Sequence, residues 1–216
     1  MKYKELIGNL LRIEGFDSFK EEKRISNLII ALRNARAICG RNLDNGFIEA
    51  GRTSISISEE ILRNNTYYST LLLAVTFYLI ILDLIGCVFS IKSTTKQKNK
   101  EGVVHALQQF TTLEEQDIDA IKSLRNSLAH NFGLANESHI FSLSSINEDL
   151  ITHPRERWYG KVTKQEKYYT KINEVKVCQL VEDVFSSVVN EFKKDNLVLK
   201  KGLNEVDVKA RFTLIH

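Results

Sequence analysis

Three side chains near the middle of the chain have the types and spacing for acid–base chemistry on a phosphate. Ser123–Leu134 reads SLRNSLAHNFGL, in which Arg125 and Asn126 are followed by His130. A histidine poised near neutrality serves as general acid or general base. A guanidinium beside it holds a phosphate bidentately and offsets charge that develops in the transition state. These parts suffice to cleave RNA without a metal, because RNA supplies its own nucleophile. The 2′-hydroxyl attacks the adjacent phosphate, leaving a cyclic phosphate and a free 5′-hydroxyl.

Arginine followed at this range by histidine carries little information, since about 0.8 such pairs are expected by chance. Arg211–His216, RFTLIH, is a second match. It falls in a predicted strand, where the offset puts the two side chains on opposite faces. Requiring asparagine directly after arginine lowers the chance expectation to about 0.06, and only RNSLAH survives. The tripeptide LRN recurs at Leu32–Asn34 and Leu62–Asn64 without the histidine.

The element that must position these residues is a helix over about 112–132. Thr111 and Thr112 offer an N-cap, with Glu114 and Glu115 three residues later for a capping box. Glu114, Glu115, Asp117 and Asp119 crowd the first turns, as the helix dipole prefers. Leu113, Ile121, Leu124 and Leu128 form the buried stripe, with Ile118 at its edge, and Gly133 ends the helix. Asn126 and His130 then share a face, with Arg125 about 100° to the side. His130 sits near the helix C-terminus, where the dipole favours positive charge.

RNSLAH resembles the R-[polar]-x(3–5)-H signature of the HEPN superfamily. That resemblance implies a bundle of four to five helices and dimerisation that brings two motifs together across a cleft. It further implies a metal-independent RNase of toxin–antitoxin, abortive-infection or CRISPR-linked systems, or a non-catalytic relative that binds a nucleotide or serves as a dimerisation module. Residue by residue, it assigns phosphate binding to Arg125, acid–base work to His130 and polar support to Asn126. The family often carries a polar or acidic residue on the preceding helix that orients the arginine. Asp83 is the candidate for that role; the alternative is a buried aspartate paired elsewhere. The implied partners are RNA, a second copy of the chain, and an antitoxin or regulatory protein. No cofactor or metal is expected.

The surrounding sequence reads as mainly α, one domain of 216 residues with a single proline, Pro154, and ten glycines. Core helices are predicted over about 21–134 and 174–194. A small β element is predicted from about 138–172 and 206–216, where VDVKARFTLI alternates apolar and polar residues. One helix is predicted over 21–39 and a long apolar one over 67–91. SISIS at Ser54–Ser58 suggests a short strand or a packed loop, and Ser58–Glu60 the start of a short helix. Thr70–Phe89 is long enough to span a bilayer. Asp83 would be costly at membrane depth, so a core or dimer-interface helix is expected instead.

The net charge of +3 permits but does not require a nucleic-acid partner. Candidate RNA contacts are Lys92, Lys96 and Lys98 in a basic loop, and Arg155 and Arg157 beside Trp158, a mix suited to backbone and base. His105, His139 and His153 lack the spacing of metal ligands and are read as surface or structural. Cys39, Cys87 and Cys178 are odd in number and far apart, as expected of buried free thiols in a reducing cytoplasm. MKYKELIGNLLRIEG lacks the apolar core of a signal peptide.

Overall fold

The apolar segment forms the long central helix. The computed structural model describes residues 3–47, 66–92, 101–131, 133–161 and 164–215, with 66–71 and 131 described by their backbone alone. The helices are α1 (Tyr3–Leu10), α2 (Ser18–Glu21), α3 (Asn27–Ile38), α4 (Thr66–Val88), α5 (Gly102–Phe110), α6 (Glu115–Asn131), α7 (Glu174–Lys193) and α8 (Glu205–Phe212). The strands are β1 (Arg24–Ser26), β2 (Phe89–Ile91), β3 (Ile140–Leu143), β4 (Ile151–Thr152), β5 (Tyr169–Ile172), β6 (Leu197–Leu199) and β7 (Thr213–Ile215). The chain is mainly α, with three small sheets among the described residues.

Helix α4 is apolar nearly all round because α3, α5, α6 and α7 pack against it. Val75, Tyr78, Ile81, Leu82 and Ile85 are fully buried, and Leu32, Leu107, Leu124, Val181 and Val184 meet them in one core. Among the described residues, no helix is long and apolar enough to cross a membrane. The closest approach is between α4 and α5. A Cβ on Gly86 would lie 1.8 Å from the Gly102 carbonyl oxygen, and one on Gly102 would lie 2.2 Å from the Asp83 carbonyl oxygen. Both positions therefore need glycine, and the contact delivers the start of α5 to Asp83.

The structure departs from the sequence expectations at several places. The first long helix begins at Asn27, not near 21: Lys23 turns the chain at φ 52, and Arg24–Ser26 pair antiparallel with Thr213–Ile215. The central helix stops at Val88 because Phe89–Ile91 leave it to pair with Leu197–Leu199. The capping box does not form. The Thr111 hydroxyl donates instead to the Leu107 carbonyl at 2.6 Å, closing α5, and α6 starts at Glu115.

The largest departure is near the C-terminus, where residues 206–212 of the expected strand are helical. Asn204 caps the helix by accepting the Asp207 amide at 2.9 Å, and Glu205–Lys209 and Asp207–Arg211 pair one turn apart at 3.1 and 3.5 Å. Only Thr213–Ile215 are extended, and they join β1 rather than the sheet of β3, β5 and β4. In that sheet β5 pairs parallel with β3 and antiparallel with β4. SISIS and Ser58–Glu60 lie outside the described residues.

Candidate active site

Helix α6 buries Ile121, Leu124 and Leu128 of the expected stripe and Ile118 at its edge, and adds Ala120 and Ser127; Leu113, half-buried, precedes the helix. Arg125 and Asn126 stand at the edge of this stripe, half-buried, and His130 is exposed one turn later.

Arg125 reaches the central helix. Its Nη2 lies 2.5 Å from Asp83 Oδ2, and its Nη1 donates to Asn126 Oδ1 at 3.0 Å. The other Asp83 oxygen, Oδ1, accepts the Val103 amide at 3.1 Å in the first turn of α5. One carboxylate thus answers both a guanidinium and the positive end of a helix. That is why a charge is tolerated inside so apolar an element. The Arg125–Asp83 pair is not sealed, with side chains 27% and 26% exposed. Arg125 Nε is buried without a partner among the described residues. The guanidinium is therefore oriented by two contacts, with one proton on each Nη left over. Asn126 turns its oxygen to Arg125, and no hydrogen bond joins it to His130 among the described residues. His130 likewise has no hydrogen-bond or ion-pair partner there.

Asn136 carries no signal in the sequence, yet it supports the motif helix. Its amide donates to the Ser123 carbonyl at 3.2 Å and to Ser127 Oγ at 3.0 Å, while its oxygen accepts the amides of Ser138 and His139. It folds the segment after α6 back along the motif helix, which holds the end that carries His130. An asparagine in a polar loop has no distinguishing local pattern, so nothing short of the tertiary contact marks it.

The remaining candidates fall elsewhere. Lys92 lines a cavity of about 450 Å³ with Lys4, Lys200 and Lys201, and Asp195 is the one acid among the described residues that line it. Lys200 Nζ donates to the Gly86 carbonyl at 3.0 Å, three residues after Asp83 on α4. Lys96 and Lys98 lie outside the described residues. Arg155 and Arg157 are exposed on a loop that His153 anchors to Asp117 at 2.7 Å. Asp117 is in the first turn of α6, about 20 Å along the axis from His130. The structure does not bring those two arginines to the motif. His105 is a core residue, 1% exposed, and burial pushes its pKa down. His139 stacks on Phe141, and burial lowers its pKa too. Among the described residues, no three histidine, cysteine or acidic side chains are grouped to hold a metal ion.

No family model, curated protein or solved structure matches the chain.

Proposed function

We propose that the protein is a metal-independent endoribonuclease of the HEPN type that acts as a homodimer in the cytoplasm, as a toxin or phage-defence effector. The observation that carries this reading is the Asp83–Arg125–Asn126 chain beside an exposed His130. Asp83 and Asn126 together orient the guanidinium and leave one proton on each Nη for a phosphate. His130, free of partners in the described residues, takes the proton of the attacking 2′-hydroxyl or returns one to the leaving 5′-oxygen. In a dimer the two histidines can divide these roles.

The dimer has a suitable face. Leu73 and Ile80 on α4 are 40% and 38% exposed, unusual for leucine and isoleucine on a core helix. With the partly buried Phe77 and Leu84 they form one stripe, and Asp83 lies on its flank. A copy docked there would set two motifs near each other. The basic cavity of Lys4, Lys92, Lys200 and Lys201 supplies charge for the RNA backbone.

A second reading is a non-catalytic phosphate- or nucleotide-binding module. It is favoured by Arg125 having both Nη groups already engaged. The deciding assay is RNA cleavage in EDTA by the wild type and by Arg125→Ala and His130→Ala. Cleavage by the wild type alone supports the enzyme; RNA binding without cleavage supports the module.

A further inference from the structure

A second cluster of reactive side chains lies on the seam between α3 and α7, apart from the motif. Cys39 caps the C-terminus of α3, half-buried, and Cys178 is buried on α7. Their sulfurs are 3.9 Å apart although 139 positions separate them in the chain. The seam is clamped on both sides of the pair. One turn before Cys39, Arg36 makes a bidentate ion pair with Glu182, one turn beyond Cys178, at 2.9 and 2.7 Å. Tyr78 adds its hydroxyl to Glu182 at 2.7 Å. On the other side, Arg41 donates to Gln179 Oε1 at 3.0 Å and to the Gly46 carbonyl at 3.1 Å. These contacts fix the two helices in a register that faces sulfur to sulfur.

We propose that Cys39 and Cys178 are a thiol–disulfide exchange site, in which Cys39 attacks a low-molecular-weight disulfide such as oxidised glutathione and Cys178 resolves the product. The thiols differ in the required sense. The Cys178 contact, aided by Arg41, holds the Cys39 thiol below the ordinary cysteine range. The Cys39 contact and burial push Cys178 well above it, so Cys178 stays protonated until a leaving group is in place.

The exchange takes two balanced steps. The Cys39 thiolate attacks one glutathione sulfur, forms a mixed disulfide and expels the other glutathione as thiolate. That thiolate takes the Cys178 proton. The Cys178 thiolate then attacks Cys39 sulfur and expels the second glutathione as thiolate, which takes up from solvent the proton that Cys39 released. Both protein thiols are oxidised and the small disulfide is reduced to two thiols. Bonding distance is about 2 Å, so the sulfurs must still approach. Gly40, directly after Cys39, takes the left-handed conformation at φ 64 that ends α3. The bond would close a loop holding α4, α5 and α6. This inference does not depend on the ribonuclease reading.

The test uses the full chain incubated with oxidised glutathione, alkylated and mapped by mass spectrometry. The expected product is a peptide linking Cys39 to Cys178, with Cys87 alkylated as an internal control. The melting temperature should rise by about 5–10 °C and fall back on reduction. Cys178→Ala should retain one glutathionyl group on Cys39, and Cys39→Ala should retain none. Alkylation of both Cys39 and Cys178 in the treated wild type, or glutathione captured at Cys87 alone, would overturn the proposal.

Discussion

Asp83 answers two groups at once: its Oδ2 lies 2.5 Å from Arg125 Nη2, and its Oδ1 accepts the Val103 amide at 3.1 Å. The same side chain therefore orients the candidate arginine and caps the helix that follows it. These roles separate by substitution. Asp83→Asn keeps an acceptor for the amide but removes the charge. Its stability should fall by no more than ~1 kcal/mol, because the ion pair is partly open to solvent. Cleavage should fall about tenfold to a hundredfold as the guanidinium loses its orientation. Asp83→Ala should lose both contacts and about 1–3 kcal/mol. Urea denaturation and cleavage rates, measured on both variants, check the split; equal cleavage by wild type and Asp83→Asn would remove Asp83 from the site.

Much of this site is legible in the sequence. Ile121, Leu124 and Leu128 are spaced for a helix and are buried, so Arg125 and Asn126 stand at the edge of that face. A lone aspartate in an apolar run needs a partner, and Asp83 has two. What is not legible depends on contacts between distant segments. Residues 206–212 alternate like a strand, and their helix rests on the Asn204 cap and two ion pairs that periodicity does not register. Strand β1 is three residues long and exists because the chain terminus pairs with it. Asn136 is an ordinary loop asparagine until the fold carries it back to Ser127. Cys39 and Cys178 meet only because α3 packs near α7, and no spacing rule anticipates a contact over such a separation.

The dimer face makes its own prediction. Leu73→Asp and Ile80→Asp together place two charges on the exposed stripe of α4 while leaving the buried face untouched. The double variant should remain folded by circular dichroism. Its self-association should weaken by at least about a hundredfold in sedimentation equilibrium, with cleavage lost in parallel. A variant that stays dimeric would move the interface elsewhere.

Stability should depend on pH through Glu174. This side chain is 3% exposed, and its Oε2 has no partner among the described residues. Burial raises its pKa to about 7, although its own backbone amide pulls the other way. The folded state therefore holds the proton more tightly than the unfolded chain. The benefit is complete below the ordinary glutamate range and is lost as pH rises to about 7. Ionisation above that costs up to ~3 kcal/mol. Glu174→Gln cannot ionise. Its denaturation midpoint should match the wild type at pH about 4.5 and exceed it at pH about 8. Comparing variant with wild type cancels the opposing trend of the buried His105, whose lowered pKa costs stability as pH falls.

The central claim is that Arg125 and His130 cut RNA without a metal. The direct measurement is cleavage of a single-stranded RNA in excess EDTA by wild type, Arg125→Ala and His130→Ala, with folding checked in each. The expected result is wild-type cleavage that yields cyclic phosphate and 5′-hydroxyl ends, reduced at least a hundredfold or so in both variants. Undiminished cleavage by His130→Ala, or none by the wild type as a confirmed dimer, would contradict the account.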